Sequence, residues 1–159
     1  MSEIATITIK RLPLTKLMAM HRLFTAAVRT SFTYFDDDVQ AKTIQSHSPV
    51  RLARAVIDPR RIVLTAWLAD ELIGYAIGSV PRGSAGQMYW LYVAPSGRGK
   101  NTGLALLSRL LKRERALGAN TVTLATYDHR RYYERQGFKY IETASVEGVD
   151  MDIMRFYLS

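Results

Sequence analysis

The chain has 159 residues, 48% of them hydrophobic, with 22 Lys+Arg against 14 Asp+Glu, a formal net charge of +8 and no cysteine. The absence of thiols excludes a disulfide framework, a thiol nucleophile and thiolate zinc sites, and three scattered histidines (His21, His47, His129) argue against a His-based metal centre. The positive balance attracts anions, which leaves nucleic acid, anionic membrane surfaces and phosphorylated small molecules as partners. With no run of about 18 apolar residues and no signal-peptide zoning at the start, the reading is one cytoplasmic domain over 1–159 with no membrane partner.

Thr6, Thr8 and Lys10 alternate with Ile7 and Ile9, a pattern begun at Ile4 and Ala5, and predict a first strand ending at Pro13. Thr15 stands where it can cap a helix in which Leu17, Met20, Leu23, Phe24, Ala27 and Val28 recur at helical spacing. The segment SFTYFDDDVQ follows, aromatic residues beside three acids, and then a second helical stretch from Val50 to Ile57, stopped near Asp58-Pro59. Three strands come next, Ile62 to Leu68, Leu72 to Val80 and Gln87 to Val93, joined by a hairpin at Asp70-Glu71 and a longer loop from Pro81 to Gly86.

A helix carrying the stripe Leu106, Leu107, Leu110 and Leu111 runs to Gly118. Thr121 to Thr126 reads as a buried strand and His129 to Gln136 as a short helix stopped by Gly137. Phe138 to Thr143 and Met151 to Tyr157 close the chain around a Glu147-Gly148 turn. This order gives an α/β domain whose mixed, mostly antiparallel central sheet has flanking helices and one parallel crossover, Gln87–Val93 to Thr121–Thr126. Basic spots at Arg60-Arg61, Lys112-Arg113-Glu114-Arg115 and Arg130-Arg131 read as solvated faces.

The chemistry concentrates in YVAPSGRGKNTGLALLSRLL, Tyr92 to Leu111. A strand running through a Gly-containing turn into a helix presents unpartnered backbone N–H groups at the helix N-terminus, a natural seat for phosphate, and Arg98 and Lys100 add charge. A Walker loop would need Gly where Ala94 stands and Ser or Thr where Asn101 stands; a dinucleotide fingerprint would need Gly where Thr102 stands. Both fail, and a Gly-rich connection that holds no ligand stays open on local chemistry alone.

Val93-Ala94-Pro95, Arg98-Gly99-Lys100-Asn101-Thr102-Gly103 and Leu106-Leu107 together resemble the acetyl-coenzyme A signature of the GCN5-related N-acetyltransferases, the GNAT superfamily. Tyr132-Tyr133-Glu134-Arg135-Gln136-Gly137-Phe138 resembles the family's downstream motif, and the order of elements is similar along nearly the whole chain. That no metal takes part is expected from the missing cysteines and scattered histidines. The resemblance implies that acetyl-coenzyme A is the acyl donor. Its pyrophosphate would lie on the N–H groups of Arg98, Gly99, Lys100, Asn101, Thr102 and Gly103, and its pantetheine arm along the backbone of Leu91 and Val93. Asn101 stands where the family usually has Gly; Asn is the next most tolerant residue of the left-handed region.

Tyr133 corresponds to the family's proton donor to the departing thiolate, with Tyr132 and Tyr127 as weaker substitutes, and the competing reading makes it a core aromatic beside Phe138. No carboxylate occurs among Gln87, Met88, Tyr89 and Trp90, where many members carry a Glu. A water relay past Tyr89 or an acid among Asp36, Asp37 and Asp38 could serve, the competing reading of these acids being a solvated loop or helix start, and no general base is assigned. The reaction implied is direct acetyl transfer to a primary amine of a small molecule or peptide, and the Phe32 to Asp38 segment suggests a cationic acceptor. Two alternatives stand beside it: a coenzyme A-binding module without chemistry, and, since nucleic acid is otherwise not the expected partner, transfer to an RNA-linked amine. Dimerisation is common in the resembled family, and the last strand, ending Phe156-Tyr157-Leu158, would offer an edge for a homodimer.

Overall fold

The computed structural model describes residues 6–81 and 83–158, so Ile4 and Ala5 of the expected first strand lie outside the described residues. The strands are β1 (Ile7–Arg11), β2 (Arg61–Leu68), β3 (Glu71–Ser79), β4 (Ala85–Val93), β5 (Thr121–Thr126), β6 (Lys139–Val146) and β7 (Val149–Tyr157). The helices are α1 (Leu17–Ser31), α2 (Asp37–Gln45), α3 (Pro49–Ile57), α4 (Thr102–Ala116) and α5 (Arg130–Arg135). The strands form one sheet in the order β1-β2-β3-β4-β5-β7-β6. Every pairing is antiparallel except β4 with β5, the crossover spanned by α4.

Four expectations change here. Thr15 caps nothing: it lies within a single 3-10 turn, Leu14–Lys16, and α1 starts at Leu17 without a side-chain cap. What holds α1 is its buried face, Met20, Phe24, Ala27 and Val28. The acidic run opens an additional helix, α2, in which an Asp36 carboxylate oxygen accepts the Val39 N–H at 2.8 Å and Asp37 and Asp38 occupy the first turn, where negative charge offsets the helix dipole. The last strand is no edge either, since β7 is paired to β5 on one side and to β6 on the other. The closing hairpin is longer than the alternation suggested; it turns on Glu147 and Gly148 alone, at φ 49° and 79°.

Both faces of the sheet's central strands are covered, while β6 is largely exposed. On one, Leu106, Leu107 and Leu110 of α4 pack with Ile62, Leu64, Ala76, Met88, Val122 and Leu124, each buried leucine contributing roughly 1.5–3 kcal/mol. On the other, Phe24, Val28, Leu52 and Val56 of α1 and α3 pack with Val63, Tyr75 and Ile77. Beneath α4 lies an anomaly, Glu114, fully buried with no hydrogen-bonding partner for either carboxylate oxygen. Glycines on the strands make its room: a Cβ at Gly78 would stand 3.0 Å from Glu114 Oε1 and 2.5 Å from Gln87 O. Burial pushes the carboxyl up to about 8, although the nearby backbone of Gln87 and Ser79 acts in the opposite direction.

Two irregularities position the functional site. The register between β3 and β4 shifts after Ile77 so that Tyr89 has no partner on β3, a bulge that sharpens local twist. β4 and β5 pair only through Ala85–Gln87 and Thr121–Thr123. Beyond Gln87 the two strands part, and Met88 to Val93 has no strand along that side.

Candidate functional site

The turn between β4 and α4 is built to leave backbone donors free. Pro95–Gly97 forms a 3-10 turn, Gly99 takes φ 77° and Asn101 takes φ 57°, ψ 24°, the left-handed conformation that an Asn tolerates better than other residues with a side chain. Thr102, buried, donates its hydroxyl to Gly97 O at 2.8 Å and ties helix start to turn. The backbone N–H groups from Gly99 to Leu104 make no hydrogen bond among the described residues. Lys100 is exposed at the tip, and a Cβ at Gly103 would stand 3.7 Å from the Tyr132 hydroxyl.

The strand edge leading to this turn has no neighbouring strand. Ala94 donates its N–H to Ile73 O on β3 at 2.7 Å, so the alternation of an antiparallel ladder turns the backbone groups of Val93 and Leu91 to the other, open edge. Arg98 Nε donates to Val93 O there at 3.2 Å. An extended chain lying in the gap would meet a row of donors and acceptors ending at a helix N-terminus.

Leu91, Val93, Arg98 and Tyr133 line one cleft of ≈ 1370 Å³ that continues past β5 and the β6–β7 turn to the sheet's other end. This exceeds the ~300–1,000 Å³ typical of a single small-molecule site, leaving room for two substrates. Tyr133 is 7% exposed. The chain holds it firmly, since Gly137 at φ 98° lets the Phe138 N–H reach Tyr133 O at 3.0 Å and sets the two rings 5.5 Å apart, a Schellman cap with its apolar contact. Burial, then Tyr132 and Tyr34, raise the Tyr133 phenol above its ordinary value, so it stays protonated at neutral pH. Tyr127 lies across the cleft, half exposed and stacked on Tyr34 at 4.4 Å, while Tyr132 is partly buried near Gly103. Tyr34 is itself pushed up to about 12 by burial, then by Asp128 and Tyr127.

The opposite end of the cleft has a different composition from the one expected. Phe32, Tyr34 and Phe35 form its wall with Trp90 and Tyr92, but Asp36, Asp37 and Asp38 do not line it. Those acids start α2, which removes the carboxylates on which a cationic acceptor was argued. Arg60 and Arg61, read as a solvated face, line the cleft together with Arg51 and Asp58. Tyr89 also lines it, its hydroxyl 2.9 Å from Ser79 Oγ.

His47, between α2 and α3, is the functional candidate that sequence reasoning missed. Its ring stacks on Phe24 with centroids 3.9 Å apart and meets Trp90 edge-on at 6.0 Å. Nδ1 lies 2.8 Å from Thr43 O, which can only accept, so Nδ1 carries the proton and the neutral ring's lone pair is on Nε2, which makes no hydrogen bond among the described residues. Burial, opposed by the Thr43 carbonyl and aided by Arg61 and His21, lowers its pKa below the ordinary 6.5. A lone His carries no signal of such a position in the letters. Among the described residues, no group of three or more His, Asp or Glu could hold a metal ion, and no helix is long and apolar enough to cross a membrane.

The family model of the acetyltransferase (GNAT) family matches residues 20–138. The chain belongs to the GNAT family. Its fold is shared with the PaiA N-acetyltransferase of Thermoplasma acidophilum, solved with coenzyme A, at TM-score 0.80 and 18% identity over 96% of this chain and 99% of that one. YncA, a putative acetyltransferase of Salmonella typhimurium solved with acetyl-CoA, superposes at TM-score 0.72 and 20% identity over 98% and 95%. An aminoglycoside 6'-acetyltransferase type Ii does so at 0.72 and 19% over 94% and 96%. No curated protein sequence matches the chain. At such identities the GNAT neighbours speak for the fold, and the chemistry of this chain rests on its own cleft.

Proposed function

We propose that this protein transfers an acetyl group from acetyl-coenzyme A directly to a primary amine. The observation that carries the reading is the parting of β4 from β5, which leaves the edge at Leu91 and Val93 unpaired and leads to the free amides from Gly99 to Leu104. Those amides and the α4 dipole suit a pyrophosphate; the open edge suits the amide-bearing arm of coenzyme A. Acetyl-coenzyme A supplies the activated thioester. Tyr133 then lies beside the position of its sulfur, and His47 faces the acceptor half.

In this reading the amine nitrogen bonds to the acetyl carbon as the carbon–sulfur bond breaks; one proton leaves nitrogen for His47 Nε2, and sulfur takes one from Tyr133. Water in the cleft returns the proton lost by the phenol and removes the one gained by the imidazole. A phenol above its usual value of about 10 is a weaker acid than a thiol of about 8.5 in water. Its contribution therefore begins as a hydrogen bond to the developing thiolate, and full transfer follows as the sulfur is desolvated in turn.

Calorimetric titration with acetyl-coenzyme A, paired with thiol release across a set of primary amines, tests the reading. Saturable binding and amine-dependent release are expected. Failure to bind removes the proposal, and binding without release across the amines leaves only a coenzyme-binding module.

A further inference from the structure

Next to the acceptor half of the cleft, and sharing Ser46, His47, Arg51, Asp58, Arg61 and Ile77 with it, is a side pocket of ≈ 190 Å³. That volume equals roughly six waters at ~30 Å³ each, enough for a carboxylate or phosphate group and too little for coenzyme A. Three arginines, Arg51 and Arg54 of α3 and Arg61 at the start of β2, line it against a single acidic residue, Asp58. None of the three makes an ion pair or a side-chain hydrogen bond among the described residues, and Asp58 is occupied in accepting the Arg60 N–H at 3.0 Å.

This charge is separate from that of the signature turn. Arg61 pairs with Ser79 and Ser79 with Gln87, which puts the side pocket at the start of β4, whereas Arg98 lies past its end at Val93. Gln87 to Val93 spans about 20 Å at ~3.4 Å per residue. Between the two ends stands Trp90, with His47 at 6.0 Å on the pocket side. An acceptor amine presented near Trp90 thus has unpaired guanidinium groups on its side-pocket flank, where Asp58 is the one lining carboxylate, while Asp128 and Glu147 line the main cleft outside that pocket.

We propose that the acceptor is an amine that also carries an anionic group, a carboxylate or a phosphate, seated on Arg51, Arg54 and Arg61 in this side pocket. The proposal rests on the acetyl-transfer reading for the identity of the cleft's other end. Guanidinium groups suit both anions through forked hydrogen bonds. It narrows the expectation of a cationic acceptor, because any second positive charge on the acceptor would meet net positive charge at the pocket.

The test is a ligand-observed NMR titration of the full chain, with and without coenzyme A, using butylamine, putrescine, γ-aminobutyrate and γ-aminopropylphosphonate. At least one of the two anionic amines should bind more than about tenfold tighter than butylamine, and putrescine weakest, as charge-assisted hydrogen bonds imply. The tighter of the two anions identifies carboxylate or phosphate. In an Arg51→Gln/Arg61→Gln variant, shown folded by its thermal melt, the ratio should fall toward one; all the altered side chains are exposed, and the single variants serve if the double melts early. Butylamine or putrescine binding as tightly as both anionic amines, or a preference that survives in the variants, overturns the proposal. Absence of coenzyme A binding would instead count against acetyl transfer, while the coenzyme-free titration would still read the side pocket.

Discussion

At the α4 end of the cleft, the groups left without partners are backbone amides from Gly99 to Leu104 and the strand edge at Leu91 and Val93. At the α3 end they are side chains drawn from separate elements: His47 before α3, Arg51 and Arg54 on it, Arg61 on β2, with an aromatic wall from the α1–α2 connection. A backbone-built site depends on conformation and tolerates loss of a side chain. A side-chain-built site fails with the loss of one group. In the proposed reading, the same contrast separates the donor end from the acceptor end.

Variants can break or sharpen this contrast. Tyr133→Phe should lower kcat about 100-fold, the scale of a positioned proton donor, while leaving the calorimetric Kd for acetyl-coenzyme A unchanged. A purely structural ring would show no such split. For His47→Gln, a loss of about tenfold in kcat/KM is expected, and with it the loss of the acidic limb of the pH profile. Because burial lowers the imidazole's pKa, that limb in the wild type should lie below pH 6.5, activity falling as pH drops through it.

At the backbone-built end, Gly99→Val forces a branched side chain into φ 77° and should weaken acetyl-coenzyme A binding by roughly 1–2 kcal/mol, about five- to thirtyfold, through loop shape alone. Arg98→Ala removes an exposed charge and its bond to Val93 O, and should cost only about 0.3–1 kcal/mol by the same titration. If Arg98→Ala were the more damaging of the two, the donor end would be a side-chain site after all and the contrast would fail.

The legibility of the molecule in its letters follows this division. The signature turn could be read because backbone conformation is written locally: Gly99 and Asn101 at positive φ, and Gly137 ending α5 under Tyr133, sit within a few residues of what they shape. The Leu stripe of α4 likewise faces the core where its spacing put it. By contrast, Asp36 to Asp38 look alike as helix start or as ligand, and only the Val39 contact separates the two. Helix α2, short and polar, has little apolar period to find, and the central placement of β7 depends on a long-range pairing that alternation does not encode. His47 and Arg61 are fourteen residues apart in the chain, and only the fold makes them neighbours in the side pocket.

Glu114 gives the fold an alkaline liability that none of the chemistry in the cleft requires. Folded, it holds its proton up to about pH 8; unfolded, it releases it near 4.5. Between those values the native state binds more protons than the unfolded one, so the glutamate's cost is absent below pH 4.5, grows as pH rises, and levels off above 8. Denaturant midpoints measured from pH 5 to pH 9 should decline through that window, and Glu114→Gln should flatten the decline. The proposed transfer to an amine favours alkaline conditions, where more of the acceptor is neutral. The buried carboxyl under α4 opposes that preference, so for the proposed reaction the pH of fastest turnover would differ from the pH of greatest stability.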